Sequence, residues 1–132
     1  LKKVIEVVGA IIVAEGKILC LQRGPGRSLA NYWEFPGGKI EPQETPINAL
    51  KRELTEELLI KVKVDENIYE STQYEYDFGT VHLTTFVCHL ISGQPKLTEH
   101  IANKWLPTKE LATLAWAPAD IPTAKKLVNN GL

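Results

Sequence analysis

The sequence predicts an α/β fold in which a mixed β-sheet lies between α-helical layers. Two observations carry that prediction. Apolar, β-branched runs occur in two hairpin-like pairs, Val4 to Arg23 and Val62 to Ile91, and amphipathic helical patterns stand after each pair. A chain of 132 residues with 44% hydrophobic and 23% charged residues suits one globular domain, here residues 1–132, built on a single core.

Val4 to Ala14 is apolar and β-branched, Glu15-Gly16 reads as a turn, and Lys17 to Arg23 returns as a second strand. The loop GPGRSLAN follows, rich in Gly and Pro. Tyr32 to Pro36 then delivers the chain into Gly37-Gly38. The central helix begins after Thr45, a favoured N-cap, with Pro46 at the first helical position, where its missing N–H costs nothing. Ile47, Leu50, Leu54 and Leu58 recur at spacings of three and four and form one apolar stripe.

Beyond the helix, Val62 to Asp77 and Val81 to Ile91 read as strands joined through Phe78-Gly79-Thr80. The weak alternation of HLTTFVCHL predicts a strand covered on both faces. Lys104 to Pro107 reads as a short strand and Thr108 to Leu114 as a short helix capped by Thr108. Ile121 to Asn129 is the last helix, with Pro122 in its first turn and Gly131 just past its end.

The chemistry concentrates on the central helix. At about 100° per residue, Glu53, Glu56 and Glu57 fan out beside the apolar stripe, Glu57 nearest to it and Glu56 furthest. Arg52 reaches Glu56 across one turn, but one arginine cannot neutralise three glutamates and Glu44 together. A hard divalent cation with oxygen ligands would. The competing reading is a solvated acidic face, which a bare triplet of this kind usually is. Glycines at 37 and 38 let the backbone approach a phosphate or a metal closely, and a carbonyl of either is a candidate ligand.

The full spacing favours the metal. Gly38, Glu44, Arg52-Glu53-Leu54 and Glu56-Glu57, at their intervals, resemble the Nudix box of the Nudix hydrolase superfamily. One position departs: Leu59 stands where the family has glycine. A non-glycine residue forced left-handed costs ~1–2 kcal/mol, so the helix is expected to end by another geometry or to run on toward Ile60.

The resemblance implies the Nudix fold and cleavage of a nucleoside diphosphate linked to a group X, with Mg²⁺ as cofactor and Mn²⁺ as an alternative. It assigns Glu53, Glu56 and Glu57 as metal ligands with Gly37 or Gly38, and Arg52 as the group that orients them. LQR before the first loop, YWEFPGGKIEP and WAPADIP are similar to the MutT-like triphosphate pyrophosphohydrolases. Such enzymes release a monophosphate and pyrophosphate, and several clear oxidised nucleotides such as 8-oxo-dGTP from the nucleotide pool. In that reading Arg23 contacts phosphate, where the alternative is a surface charge at a strand end. Lys39 is a phosphate partner or a solvated lysine, and Phe35 lines a base pocket or packs in the core.

Glu99, six residues before Trp105, matches a loop glutamate of those enzymes and is a candidate proton acceptor; the alternative is an exposed loop acid. Asp120 meets the base edge or caps the last helix. The APADIP segment is closer to the branch that takes cytosine nucleotides, since the MutT archetype has Asn at this position. ADP-sugars and dinucleoside polyphosphates remain as alternative substrates, and a non-catalytic nucleotide-binding module as an alternative role.

The net charge of −1 gives no reason to expect a nucleic-acid polymer or an anionic membrane as partner. The N-terminal run is interrupted by Glu6 and reads as strand, not as a signal peptide. Cys20 and Cys88 lack metal-ligand spacing and are expected as buried, reduced thiols in a cytoplasmic protein that is a monomer or small homo-oligomer. His82, His89 and His100 also lack ligand spacing and are read as structural.

Overall fold

A computed structural model describes residues 3–132. Seven strands form one mixed sheet: β1 (Val4–Ala14), β2 (Lys17–Arg23), β3 (Trp33–Glu34), β4 (Gly37–Lys39), β5 (Lys61–Tyr76), β6 (Gly79–Ser92) and β7 (His100–Leu106). The order is β3-β2-β1-β6-β5, with β4 paired to β1 and β7 to β2. β1 runs parallel to β6 from Val4↔Thr80 to Val13↔His89, and the other strand pairs are antiparallel.

The two helices α1 (Pro46–Leu58) and α2 (Ile121–Asn130) cover opposite faces. Strand alternation sorts the residues. Val8, Ala10, Ile12, Leu19 and Leu21 pack with Ala49, Leu50, Leu54 and Leu58 of α1. Ile11, Ile18 and Cys20 face the other way, with Leu111, Trp116, Ala124 and Leu127. The expected doubly covered strand is β6, where Phe86 and Cys88 join the α1 side and Thr85 meets Thr123 of α2 at 3.1 Å. Both cysteines are buried and unpaired, and burial pushes each thiol up to about 12. No helix among the described residues is long and apolar enough to cross a membrane.

The β1–β2 hairpin closes as expected: Glu15 and Gly16 both have positive φ, the pattern of a two-residue turn matched to strand twist. Beyond that turn β2 leaves β1. Only Val13 and Ala14 pair with it, while Leu21 and Gln22 pair with β3. The vacated edge of β1 is taken by β4, with Val8↔Gly38 and Gly9↔Gly37. The sheet forks there, and the fork opens a cleft.

Several boundaries differ from the sequence reading. Tyr32 to Lys39 contains two short strands, because its backbone fills the fork. The β5–β6 turn is Asp77-Phe78, since Tyr76 pairs with Gly79. The last short strand begins at His100, four residues before Lys104, because β2 continues to pair with it up to Arg23. Thr108–Thr113 is a 3₁₀-helix, and Thr108 is not its cap; Pro107 precedes it without a side-chain cap bond. α2 extends to Asn130 and closes at Gly131.

The end of α1 is the clearest correction. Leu59 adopts φ 58° and ψ 39°, the left-handed conformation that the expectation avoided. Leu58 and Ile60 on either side are fully buried, and the exposed Leu59 is the residue that turns the chain between them. Burying each flanking side chain is worth ~1.5–3 kcal/mol, which exceeds the ~1–2 kcal/mol cost of one left-handed residue. A loop seals the end: Lys96 N–H donates to Leu58 O at 3.0 Å, and Thr98 Oγ1 donates to Glu57 O at 2.8 Å. Leu59→Gly is therefore expected to raise stability by up to ~1 kcal/mol, the strain relieved being offset in part by a freer unfolded chain. Urea unfolding measures this, and a loss of stability would show that the exposed leucine contributes more than its backbone strain costs.

Candidate active site

Thr45 accepts a hydrogen bond from Asn48 N–H at 3.2 Å, and the helix it starts presents its acidic face to the cleft. Arg52 gathers that face. Its Nε and Nη2 donate to the two oxygens of Glu44 at 2.7 and 2.9 Å, and Nη1 donates to Glu53 at 2.9 Å and Glu56 at 3.3 Å. Nη2 also reaches Lys39 O at 3.2 Å, and Glu41 lies 3.8 Å from Nη1. The hydrogen bonds from Arg52 hold the Glu44 carboxyl down to about 2.

Glu53 is mostly buried and lies flat against Gly38; a Cβ there would fall 2.5 and 2.7 Å from its carboxylate oxygens. That contact, more than backbone freedom, requires glycine at 38. Gly37 faces Val8 O so closely that no side chain fits. Glu57 stands on the other side of Glu53, outside the reach of Arg52's bonds. Its carboxyl is pushed up to about 8, first by burial, then by the hydrogen bond and charge of Glu53, and further by Glu99 and Glu34.

Two carboxylates crowded together and short of a cation form a donor set of hard oxygens that fits a divalent metal. Among the described residues, no three His, Cys, Asp or Glu side chains are already gathered around one point. Glu56 explains part of this: its side chain is 63% exposed and turned toward Arg52, and it does not line the cleft. Glu99 is exposed on the loop that seals α1, where its charge acts on Glu57. Its backbone carbonyl accepts a long bond from Arg27 Nη1, 3.5 Å.

The cleft has a volume of about 690 Å³ and is lined by two unlike groups of residues. One holds Gly37, Gly38, Lys39, Glu53 and Glu57. The other holds Phe35, Tyr76, Phe78 and Asp120. Phe35 packs in the core, buried and stacked on Trp116 at 4.5 Å between centroids, and it also lines the cleft. Tyr76 and Phe78 stack at 5.0 Å, and Tyr76 Oη accepts from Ala119 N–H at 2.9 Å.

Asp120 is not a side-chain cap. The 3₁₀ turn Pro118–Asp120 leads into α2, and Asp120 makes no cap bond. Its Oδ1 instead accepts Phe35 N–H at 3.2 Å inside the cleft wall. Burial above all, and then the charge of Glu34, push its carboxyl up to about 8.

Arg23 lines the cleft but is not a free surface charge. Nη1 pairs with Glu34 at 2.8 Å, and Nε donates to Ser28 O at 2.8 Å. Glu34 also meets His100 Nε2 at 2.7 Å. Glu34, His100, Arg27, Tyr76 and Phe78 were missed by sequence reasoning. Tyr74, Tyr76 and Phe78 at intervals of two were a legible sign of one aromatic face. Nothing in the spacing of Glu34 and His100 announces their contact. His82 and His89 do not line the cleft: His82 links Glu6 and Ser71 across strands, and His89 lies 3.4 Å from Asp65.

Residues 3–127 match the NUDIX domain. The chain is 43% identical over 120 residues to the CTP pyrophosphohydrolase of Escherichia coli K12, covering 91% of this chain and 88% of that protein. It is 36% identical over 129 residues to the 8-oxo-dGTP diphosphatase of Haemophilus influenzae, covering 97% and 94%. The solution structure of the MutT protein from methicillin-resistant Staphylococcus aureus 252 superposes with a TM-score of 0.81 at 50% identity, over 99% of this chain and 100% of that one.

The raised carboxyl of Asp120 has a consequence for stability. The folded chain keeps this proton up to about pH 8, whereas an unfolded aspartate loses it near about 3.9. Its contribution is complete below the unfolded value and is lost as pH rises through the folded one. Asp120→Asn keeps an acceptor for Phe35 N–H and cannot ionise. Its stability relative to the parent is expected to increase as pH is raised across that interval, measured by urea unfolding at successive pH values. A difference that does not change with pH would mean Asp120 is ionised throughout.

Proposed function

The chain belongs to the Nudix family as a hydrolase similar to the nucleoside triphosphate pyrophosphohydrolases, and from that premise we propose that it cleaves (deoxy)nucleoside triphosphates to monophosphate and pyrophosphate, choosing the base through the protonation of Asp120. The observation that carries this reading is the pair of unlike residue groups that line one cleft. Carboxylates and glycines make one group, and an aromatic wall with one carboxyl makes the other. That is the chemistry of a triphosphate joined to a base.

Nudix proteins typically depend on a divalent metal. In this reading Glu53, Glu56 and Glu57, with the carbonyls of Gly37 and Gly38, would hold Mg²⁺ or Mn²⁺. The ion, when bound, would supply an acidified water and offset the charge of the phosphates. Arg52 keeps the carboxylates of Glu53 and Glu56 in orientation, the part that outer hydrogen bonds play around metal ligands. Lys39 and Arg23 face the phosphate oxygens with positive charge. Glu99 accepts the proton of the attacking water on its carboxylate, from a loop anchored to the end of α1.

In the other group Phe35 and Phe78 offer flat apolar surface to the base. An ionised Asp120 only accepts hydrogen bonds, which suits the amino group of cytosine. A protonated Asp120 can also donate, which suits a base presenting both a carbonyl and a ring N–H, such as 8-oxo-guanine. The relatives named for CTP and for 8-oxo-dGTP hydrolysis support both as substrates.

A panel of CTP, dCTP, 8-oxo-dGTP, ADP-ribose and a dinucleoside polyphosphate, assayed with Mg²⁺ for pyrophosphate release, tests the reading. Cytosine nucleotides and 8-oxo-dGTP are expected to be preferred, and preference for ADP-ribose or the dinucleotide would overturn it. Glu53→Gln or Glu57→Gln is expected to reduce turnover by ~10²-fold, the scale of loss for disturbed metal sites. The kcat/KM ratio of 8-oxo-dGTP to CTP should fall as pH rises toward and past about 8. Asp120→Asn should abolish that dependence and shift preference toward 8-oxo-dGTP.

A further inference from the structure

Arg23, Glu34 and His100 come from three strands that lie side by side. β2 carries Arg23 between β3, with Glu34, and β7, with His100. The register slips between Gln22 and Arg23, where Arg23 pairs with His100, and such a bulge re-aims the side chain at that point. The imidazole of His100 is 3% exposed, and the Arg23 and Glu34 side chains are also largely buried. The two oxygens of Glu34 are divided between partners: Oε1 accepts from Arg23 Nη1 at 2.8 Å and Oε2 from His100 Nε2 at 2.7 Å. Burial opposes the charge on Glu34, but the bonds from His100 and Arg23 prevail and hold it below the usual carboxylate range. The imidazole is therefore the donor.

We propose that His100 is a positioning residue for substrate: by occupying one oxygen of Glu34, it keeps Arg23 from being drawn into a bidentate pair and leaves part of its guanidinium facing the cleft. This rests on the reading of Arg23 as a triphosphate contact. Arg23 has five N–H groups, and bonds to described residues engage three of them, with Glu34, Ser28 O and Ser28 Oγ at 2.8, 2.8 and 3.4 Å. Ser28 fixes one side of the guanidinium, and Glu34 the other. A side chain held this way loses little further freedom on binding a phosphate. Without His100, the freed Oε2 is a buried acceptor in need of a donor, and the nearest charged one is Arg23. Arginine and carboxylate pair most favourably through two parallel bonds, so the guanidinium turns from the cleft toward Glu34.

The test compares His100→Ala, His100→Gln and Glu34→Ala with the double variant His100→Ala/Glu34→Ala. His100→Ala is expected to raise KM for the nucleoside triphosphate about tenfold with kcat within twofold of the parent. His100→Gln, whose amide can donate to Glu34, is expected to recover most of that loss. In the Glu34→Ala background, His100→Ala is expected to change KM no further, because the intermediary is gone. Multiplying effects in the double variant, or a fall in kcat at unchanged KM, would overturn the proposal. Should His100→Ala fail to fold, His100→Gln decides: a KM within about twofold of the parent supports the proposal, and a KM raised as far as tenfold sinks it. Should the parent prove not to hydrolyse triphosphates, the Arg23 Nε–H resonance still separates the two ideas. An unchanged shift in His100→Ala overturns the positioning role, and a displaced one restored by His100→Gln supports it.

Discussion

Arg52 distributes one guanidinium over three carboxylates and a backbone carbonyl, and the rest of the site is arranged by that distribution. Two bonds tie Glu44, in the turn before α1, to a residue in the middle of α1. The bond to Lys39 O fixes the strand that carries Gly37 and Gly38 to the same helix. Glu53 is thereby pressed against Gly38, and Glu56 is turned outward. Glu57 is left on the far side, sharing a hydrogen bond with Glu53. The asymmetry is useful chemistry: one arginine satisfies the outer acids, and the inner pair keeps a demand for positive charge.

The fork in the sheet supplies the space that this arrangement needs. One edge of β1 cannot hold β2 and β4 over the same residues, so β2 departs after its turn and β4 takes its place. Residues from both branches then face each other across the opening. Gly37 and Gly38 come from one branch, and Arg23, Glu34 and His100 from the other. The Glu99 loop is tied to the end of α1, where a left-handed Leu59 lets both Leu58 and Ile60 enter the core. Packing of apolar residues thus sets where the Glu99 loop stands.

Burial around Asp120 and pairing around Glu34 have opposite effects on acids of the same type. Asp120 and Glu34 are both withdrawn from water. Asp120 has one backbone N–H and a neighbouring negative charge, so its neutral form is favoured. Glu34 has a guanidinium and an imidazole, so its charged form is favoured despite burial. The two are coupled, because the charge of Glu34 is part of what raises Asp120. Base choice and phosphate contact in the proposed reaction therefore share one electrostatic connection.

Whatever depends on neighbours along the chain is legible in the residues alone. Thr45, Pro46 and the 47-50-54-58 stripe specify α1, and its periodicity puts Glu53, Glu56 and Glu57 at the angles observed, Glu57 inward and Glu56 outward. Glu15-Gly16 specifies the first hairpin, and the box spacing specifies the glycine that the Glu53 carboxylate needs. What depends on distant partners is set by packing. Local preference argues against a left-handed Leu59, but the two buried side chains beside it outweigh that preference. Asp120 has the residue type of a helix cap and no cap bond, because Phe35, 85 residues away, provides its donor. His100 meets Glu34 across 66 residues through strands that pair only once the sheet has formed. Periodicity encodes direction along one element; which groups finally share a hydrogen bond is set when the elements pack.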